Sequence, residues 1–437
     1  MGMTMTEKIL ARAAGRPTVS PGENIWVHVD LLMTHDICGP GTFGIFREKF
    51  GPNARVWDRD RIVIIPDHYI FTRDEKARRN IELLRQFVAE QQIRWFYDVG
   101  TPNYRGVCHA TLPEEGHTRP GEVLLGTDSH TCTAGAFNEF ATGIGNTDAG
   151  FVMGTGRLWL KAPQTMRFVF DSPLPDYLMA KDLILHIIGD IGVDGATYCA
   201  MEFAGPGVEA LELEERMTLC NMAIEAGGKN GIIAADKKTL DYVADRTRRA
   251  GTKTDFQPVA NDPDARFERE IVYHTNEIEP TVARPHSPGN RARAREVGEV
   301  KVDQVYIGSC TGGKVADLRA AARVLAGRKV VVNTFVVPAT THVERALDQE
   351  KLNGKTLREV LTAAGCKIGP PSCAACLGGP PDTFGRLHGR EICISTTNRN
   401  FPARMGSKDS QVYLASPLTA AASAVRGRIT DPRDVLK

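Results

Sequence analysis

At 437 residues the chain is too long for one compact core, so two or three domains are expected. Lys plus Arg (54) against Asp plus Glu (53) leave a net charge of +1, which gives no pull toward nucleic acid or an acidic membrane surface. No apolar run approaches the ~20 residues of a membrane span. Residues 1–16 have no signal-like apolar stretch, and ten cysteines are too sparse for a disulfide framework. A soluble protein of the reducing cytoplasm is expected.

Short β-rich runs alternate with helical patterns, which predicts an α/β fold with largely parallel sheets. In chain order, Arg61 to Ile65 reads as a buried strand, Glu75 to Ile93 as an amphipathic helix and Glu122 to Leu125 as a strand. A middle region opens with a strand at Met166 to Phe170 and a helix at Ala180 to Ile188, followed by a glycine-closed helix at Arg216 to Gly227. Pro280 to Gly298, rich in proline and arginine and without apolar periodicity, is the clearest break. Beyond it come a strand at Gln304 to Ile307, a helix at Val315 to Ala326, a strand at Lys329 to Val337, a helix at Thr356 to Ala364 and a strand at Glu391 to Ser395. Three units follow: 1–165, 166–285 and 286–437.

The chemically capable side chains follow predicted strands. Pro66-Asp67-His68 comes after the first, Gly126-Thr127-Asp128-Ser129-His130 after the second, Gly308-Ser309-Cys310 after Gln304 to Ile307, and Asn398-Arg399-Asn400 after Glu391 to Ser395. In parallel α/β sheets the carboxyl ends of strands meet the ligand crevice, so four separate segments point to one place.

Cys310 with Cys373 and Cys376 supplies three soft ligands where a tetrahedral metal or a cubane cluster needs four, and the open position suits a substrate. Taken alone, the Cys373-x-x-Cys376 pair also fits a redox dithiol or half a zinc site. Asp67-His68 and Asp128-x-His130 fit either structural turns or carboxylate–imidazole pairs for acid–base work. His109 reads as a core histidine without further context. Glu202, among apolar residues, reads as a partly buried, paired carboxylate or as a catalytic one. Arg399 and Arg404, in a loop of small and polar residues, could clamp carboxylates bidentately.

GTDSHT (126–131), GSCTGG (308–313), PPSCAACLGG (370–379) and STTNRNFPARMG (395–406), in this order, resemble the signature blocks of the aconitase superfamily. EKILARAAG, AKDLILHIIGDIGVDGATYCAMEFAG, RMTLCNMAIEAG and YLASPLTAAASAV resemble its 3-isopropylmalate dehydratase large-subunit branch, and the likeness runs from about Glu7 to Arg433. It implies three α/β/α subdomains around a [4Fe–4S] cluster held by Cys310, Cys373 and Cys376, with the fourth iron open to substrate or water. It also implies that Asp67 and His68 protonate a departing hydroxyl. His109, Asp128 and His130, assisted by Glu202, would order water and substrate oxygens. His35, Ser129, Asn398, Arg399 and Arg404 would bind a hydroxy-carboxylate. The reaction implied is dehydration and rehydration of a hydroxy di- or tricarboxylate, 3-isopropylmalate first, with homoaconitate, citramalate, maleate or 2,3-dimethylmalate as the alternatives. Gly312 stands where many members have asparagine, so a hydrogen bond from that side chain is missing. The family's swivelling domain is absent, which implies an obligate small-subunit partner that supplies it.

Overall fold

The computed structural model describes residues 2–436. Three larger sheets draw their strands from 31–143, 165–273 and 281–414. The first has five parallel strands in the order Trp95–Phe96, Ile62–Ile64, Leu31–Thr34, Val123–Gly126, Phe140–Gly143. The second is also parallel, in the order Asn230–Ile232, Ala200–Ala204, Thr165–Phe170, Arg269–Tyr273. The third has seven strands, parallel except where Thr281–Ala283 pairs with Arg291–Arg293 and with Gln411–Leu414. The strands that deliver the candidate groups are buried on both faces, which is why they read as unbroken apolar runs such as Ile62-Val63-Ile64. No helix among the described residues is long and apolar enough to cross a membrane.

The third sheet begins earlier than a division at 285/286 allows. Pro280 to Gly298, expected as a break, contains the hairpin Thr281–Ala283/Arg291–Arg293, with Ala283 opposite Leu414. Three-residue strands are too short to show a period-2 pattern, and only Ala292 of the Arg-Ala-Arg strand is buried.

Helices follow their capping residues. Asp74 accepts from the Ala77 N–H and starts Glu75–Gln91, Asp236 accepts from Thr239 and starts Lys237–Ala250, and Ser416 accepts from Thr419 and starts Pro417–Arg426. One apolar core crosses the three sheets: Val107 and Phe137 from the first stretch, Phe168, Leu183 and Met222 from the second, Tyr306, Cys310 and Leu414 from the third. At ~25 cal/mol per Å² of buried apolar surface, such a shared core is the main force holding the strand ends together.

A further tie joins first and third stretches. Glu114 Oε1 accepts from Thr340 Oγ1 at 2.9 Å, while Oε2 is buried without a partner. Burial pushes this carboxyl from its ordinary 4.5 up to about 8. The folded chain therefore holds the proton that the unfolded chain releases above 4.5, so stability declines as pH rises toward 8 and levels off beyond it. Glu114→Gln should match the parent in urea unfolding at pH 5 and exceed it by on the order of 2 kcal/mol at pH 9.

Candidate active site

The carboxyl ends of the first sheet's three central strands build one wall. Leu31–Thr34 runs into His35-Asp36, Ile62–Ile64 into Asp67-His68, and Val123–Gly126 into Asp128, which caps the 3₁₀ segment Ser129–Phe137 through the His130 N–H. The Asp36 carboxylate accepts from the backbone N–H groups of Asp67, His68 and Tyr69 at 2.9, 3.1 and 2.7 Å. Three charge-assisted bonds from one side chain fix the loop that presents His68.

Asp67 Oδ1 accepts from His68 Nδ1 at 2.6 Å, and Oδ2 accepts from the Cys108 N–H at 2.8 Å. The bond at Nδ1 leaves Nε2 as the ring atom facing the cleft, 3.7 Å from Asp128 Oδ2. Burial opposes a charge on His68, but the Asp67 carboxylate overrides it and holds the imidazole up to about 9. Burial likewise works to raise Asp67, and His68 holds it below its usual range. His68 is therefore a charged proton donor at neutral pH. His35 lies alongside, ring centroids 4.6 Å apart, with Nδ1 accepting from the Ile37 N–H and Nε2 also 3.7 Å from Asp128 Oδ2.

Asp128 is the hub of the second group. Its Oδ1 bonds His109 Nε2 at 3.0 Å and His130 Nδ1 at 3.3 Å and accepts from the His130 N–H at 2.7 Å. Burial works against its charge, yet His109 and His130 hold it well below the carboxylate range. His130 continues through Nε2 to Glu225 Oε1 at 3.0 Å, and that oxygen also accepts from Arg399 Nε at 2.7 Å. Arg399 donates its second nitrogen to Ser129 Oγ at 3.0 Å. Glu225, fully buried, is likewise kept ionised by His130 and Arg399 against the pull of burial.

Glu202 does not join this set. It lies on Ala200–Ala204, where both oxygens accept from Asn261 Nδ2 at 2.8 and 3.0 Å and Oε1 faces Arg167 at 3.1 Å. The paired-carboxylate reading describes it, and the carboxylate in the site is Glu225. Glu225 belongs to Met222–Ala226, a 3₁₀ turn that follows the helix Leu213–Asn221. That change of pitch aims both Asn221 and Glu225 inward. Asn221 Nδ2 donates to Cys310 Sγ at 3.1 Å and to Thr133 Oγ1 at 2.7 Å.

The cysteines close the other side. Cys310 follows Gln304–Ile307 through Ser309, whose φ of +74° turns the chain sharply. Its sulfur receives Asn221 and, at 3.4 Å, Asn398 Nδ2. Cys373 donates its backbone N–H to the Asp67 carbonyl at 2.8 Å, tying the cysteine pair to the His68 loop. The three thiols are buried, at 1, 5 and 2 % exposure. The Cys373 and Cys376 sulfurs lie side by side, and Cys310 is a free thiol. The set offers three sulfur ligands. Gly312 has no room for a larger residue: a Cβ there would lie 2.0 Å from Thr396 Oγ1, which already exchanges bonds with the Gly308 N–H and carbonyl. The Thr396 hydroxyl occupies the space an asparagine would need.

Five residues of these walls carry a buried polar atom without a partner: His35 Nε2, His109 Nδ1, Glu225 Oε2, Asn398 Oδ1 and Arg404 Nε. Such atoms cost about 1–3 kcal/mol each unless something else satisfies them, so the cleft is made for a polar, charged occupant.

The family model for the aconitase family (aconitate hydratase) matches residues 7–299 and 290–427. The chain is 59% identical to the chloroplastic 3-isopropylmalate dehydratase large subunit of Arabidopsis thaliana, over all of this chain and 87% of that one. It is 48% identical to the 3-isopropylmalate dehydratase large subunit 1 of Methanopyrus kandleri and 46% identical to that of Pyrococcus furiosus, over the full length of each. Among solved structures, aconitase X of Thermococcus kodakaraensis shares the fold, with a TM-score of 0.50 and 13% identity over 88% of this chain and 89% of that one.

Proposed function

The chain belongs to the aconitase family, and from that premise we propose that it is the large, cluster-bearing subunit of the hydro-lyase 3-isopropylmalate dehydratase. The observation that carries the reading is the set of unpartnered buried polar atoms in a site that also holds three buried cysteines, together with relatives named as large subunits at 44–59% identity over the whole chain. Cys310, Cys373 and Cys376 would hold a [4Fe–4S] cluster. Two amide donors on Cys310 sulfur suit a thiolate ligand, since N–H···S bonds favour the anionic form. When bound, the cluster supplies an open Lewis-acid position that makes a hydroxyl a better leaving group.

Each remaining step is assigned to a side chain. His68 Nε2 gives its proton to the departing hydroxyl, and the Asp67 carboxylate stabilises the imidazolium before transfer. Arg399 and Arg404 hold substrate carboxylates, with Arg404 Nε still free for that purpose. Charge that builds on a carboxylate as a base supplied by the small subunit takes the α-proton is offset by these guanidinium groups. Asp128 orients His109 and His130, and Glu225 holds His130 and Arg399 in register from the far side. Asn398 and Ser129 border the substrate space.

A separate small subunit would complete the site, as the large-subunit names of the relatives suggest. A reducing compartment such as the cytoplasm suits the thiol ligands. The reading is tested by anaerobic reconstitution with iron and sulfide, mixing with the cognate small subunit, and assay of hydration and dehydration across hydroxy acids. Turnover of 3-isopropylmalate by a brown protein holding about four irons is expected. Turnover of only homoaconitate, citramalate, maleate or 2,3-dimethylmalate would move the substrate assignment, and colourless protein that retains zinc would end the cluster assignment. In the same assay Glu225→Gln should lower kcat/KM by roughly 10²-fold through loss of the His130–Arg399 link. Glu202→Gln should leave it little changed, because Glu202 bonds only Asn261 and Arg167.

A further inference from the structure

Lys181 is a buried charge that the scheme above does not use. It sits in the first turn of the helix Ala180–Ile191 and is 1 % exposed. Its Nζ donates to Thr311 Oγ1 at 3.2 Å and to the carbonyls of Thr396 and Thr397 at 3.0 and 2.7 Å. Thr311 directly follows Cys310, and Thr396-Thr397 directly precede Asn398-Arg399. One ammonium from the second stretch therefore joins the cysteine loop to the arginine loop of the third. Thr311 Oγ1 completes the triangle by donating to the Thr396 carbonyl at 2.7 Å.

Neutral oxygens satisfy the three N–H bonds of this ammonium but not its charge. Among the described residues no carboxylate oxygen lies within ion-pair distance of Lys181 Nζ, whereas its neighbour Lys314, equally buried, has Asp317 Oδ2 at 2.8 Å. An unpaired buried cation is costly, and an anion placed nearby would relieve that cost. The geometry points to Lys181 as a positioning residue whose positive charge offsets the negative charge of a thiolate-ligated cluster while its three bonds lock the Cys310 loop to the Asn398–Arg399 loop. This rests on the cluster reading above. Burial drags the ammonium down to about 7 in the protein alone, as a cation lacking an anion should be. A cluster held by three thiolates carries net negative charge, and Thr311 places the ammonium one residue from the ligand Cys310. No other side chain spans both loops with a fixed charge that lacks a carboxylate partner among the described residues.

The test uses full-length holo-protein of the parent, Lys181→Gln and Lys181→Met, reconstituted anaerobically. Readouts are iron and labile sulfide, the rate of iron loss to a chelator, and the cluster's midpoint potential from a spectroscopically followed redox titration. Lys181→Met, which lacks donors and charge, should lose iron about 10-fold faster, the usual scale for outer-sphere partners of a metal site. Lys181→Gln keeps donors without charge, so it should lose iron at an intermediate rate. Both variants should shift the potential to more negative values, because a nearby positive charge favours the reduced cluster. Should Lys181→Met fail to fold, the potential of Lys181→Gln alone decides. Parental iron retention and an unshifted potential in Lys181→Gln would overturn the inference and leave the cluster reading intact. A parent that takes up no cluster would overturn both.

Discussion

Cys310→Ala should abolish turnover, by at least ~10³-fold, and remove the visible absorbance of the reconstituted protein along with most of its iron. No side chain of the twenty can replace a Lewis-acid metal, so loss of the group removes its whole contribution rather than a fraction. Cys310 is also the thiol most elaborately prepared: two amide donors, a positive-φ serine before it, and Lys314 donating to its carbonyl at 2.8 Å. Alanine fits the same volume, so folding should survive, as far-ultraviolet circular dichroism would show. Cys393→Ala is the matched control, since Cys393 is buried inside the strand Ile392–Ser395 and is none of the proposed ligands. Undiminished activity of Cys310→Ala in the assembled enzyme would refute the cluster assignment outright.

His68→Gln should lower kcat by about 10³-fold while iron content and KM stay within a few-fold of the parent, within the range for loss of a positioned general acid. Glutamine retains a donor to Asp67 but cannot deliver a proton. Asp67→Asn probes the same group more gently. The Asp67 charge holds His68 up to about 9 against burial, so the protonated form persists through neutral pH and is lost only as pH rises through that value. Without the carboxylate the imidazole pKa falls, and the alkaline limb of the kcat/KM profile for dehydration should move to lower pH. A limb that stays in place would mean that another group donates the proton.

Much of this site was legible because its residues are placed by strand ends, and strand ends are marked by an apolar run breaking into polar residues. Asp67-His68, Asp128-Ser129-His130, Cys310 and Asn398-Arg399 all obey that rule, and the structure brings them together. Glu225 escaped it. Arg216 to Gly227 scans as one helix closed by glycine, and no periodicity tells that its last turn tightens to 3₁₀ pitch at Met222. The usable signal was Asn221 and Glu225, two polar residues four apart in an otherwise apolar stretch that already resembled the family. Glu202 misled for the same reason: burial among apolar residues marks a paired carboxylate without saying what it pairs with. Lys181 lies within the otherwise largely apolar buried face of its helix, and nothing in the local sequence marks the two loops it bonds. The short hairpin at Thr281 and Arg291 exists only through its partner Gln411–Leu414, more than a hundred residues on, which no local pattern can reveal.

The apolar core that threads through all three sheets also sets how this protein fails. Because Met222, Cys310 and Phe137 pack in one continuous cluster, no stretch can loosen privately, and damage far from the chemistry is felt at the chemistry. A cavity cut beneath the second sheet, whose stretch of chain lends the cleft an amide, a carboxylate and an ammonium, would slacken the hold on the proposed cluster. Inactivation by heat and loss of the proposed cluster should then be two faces of a single cooperative event.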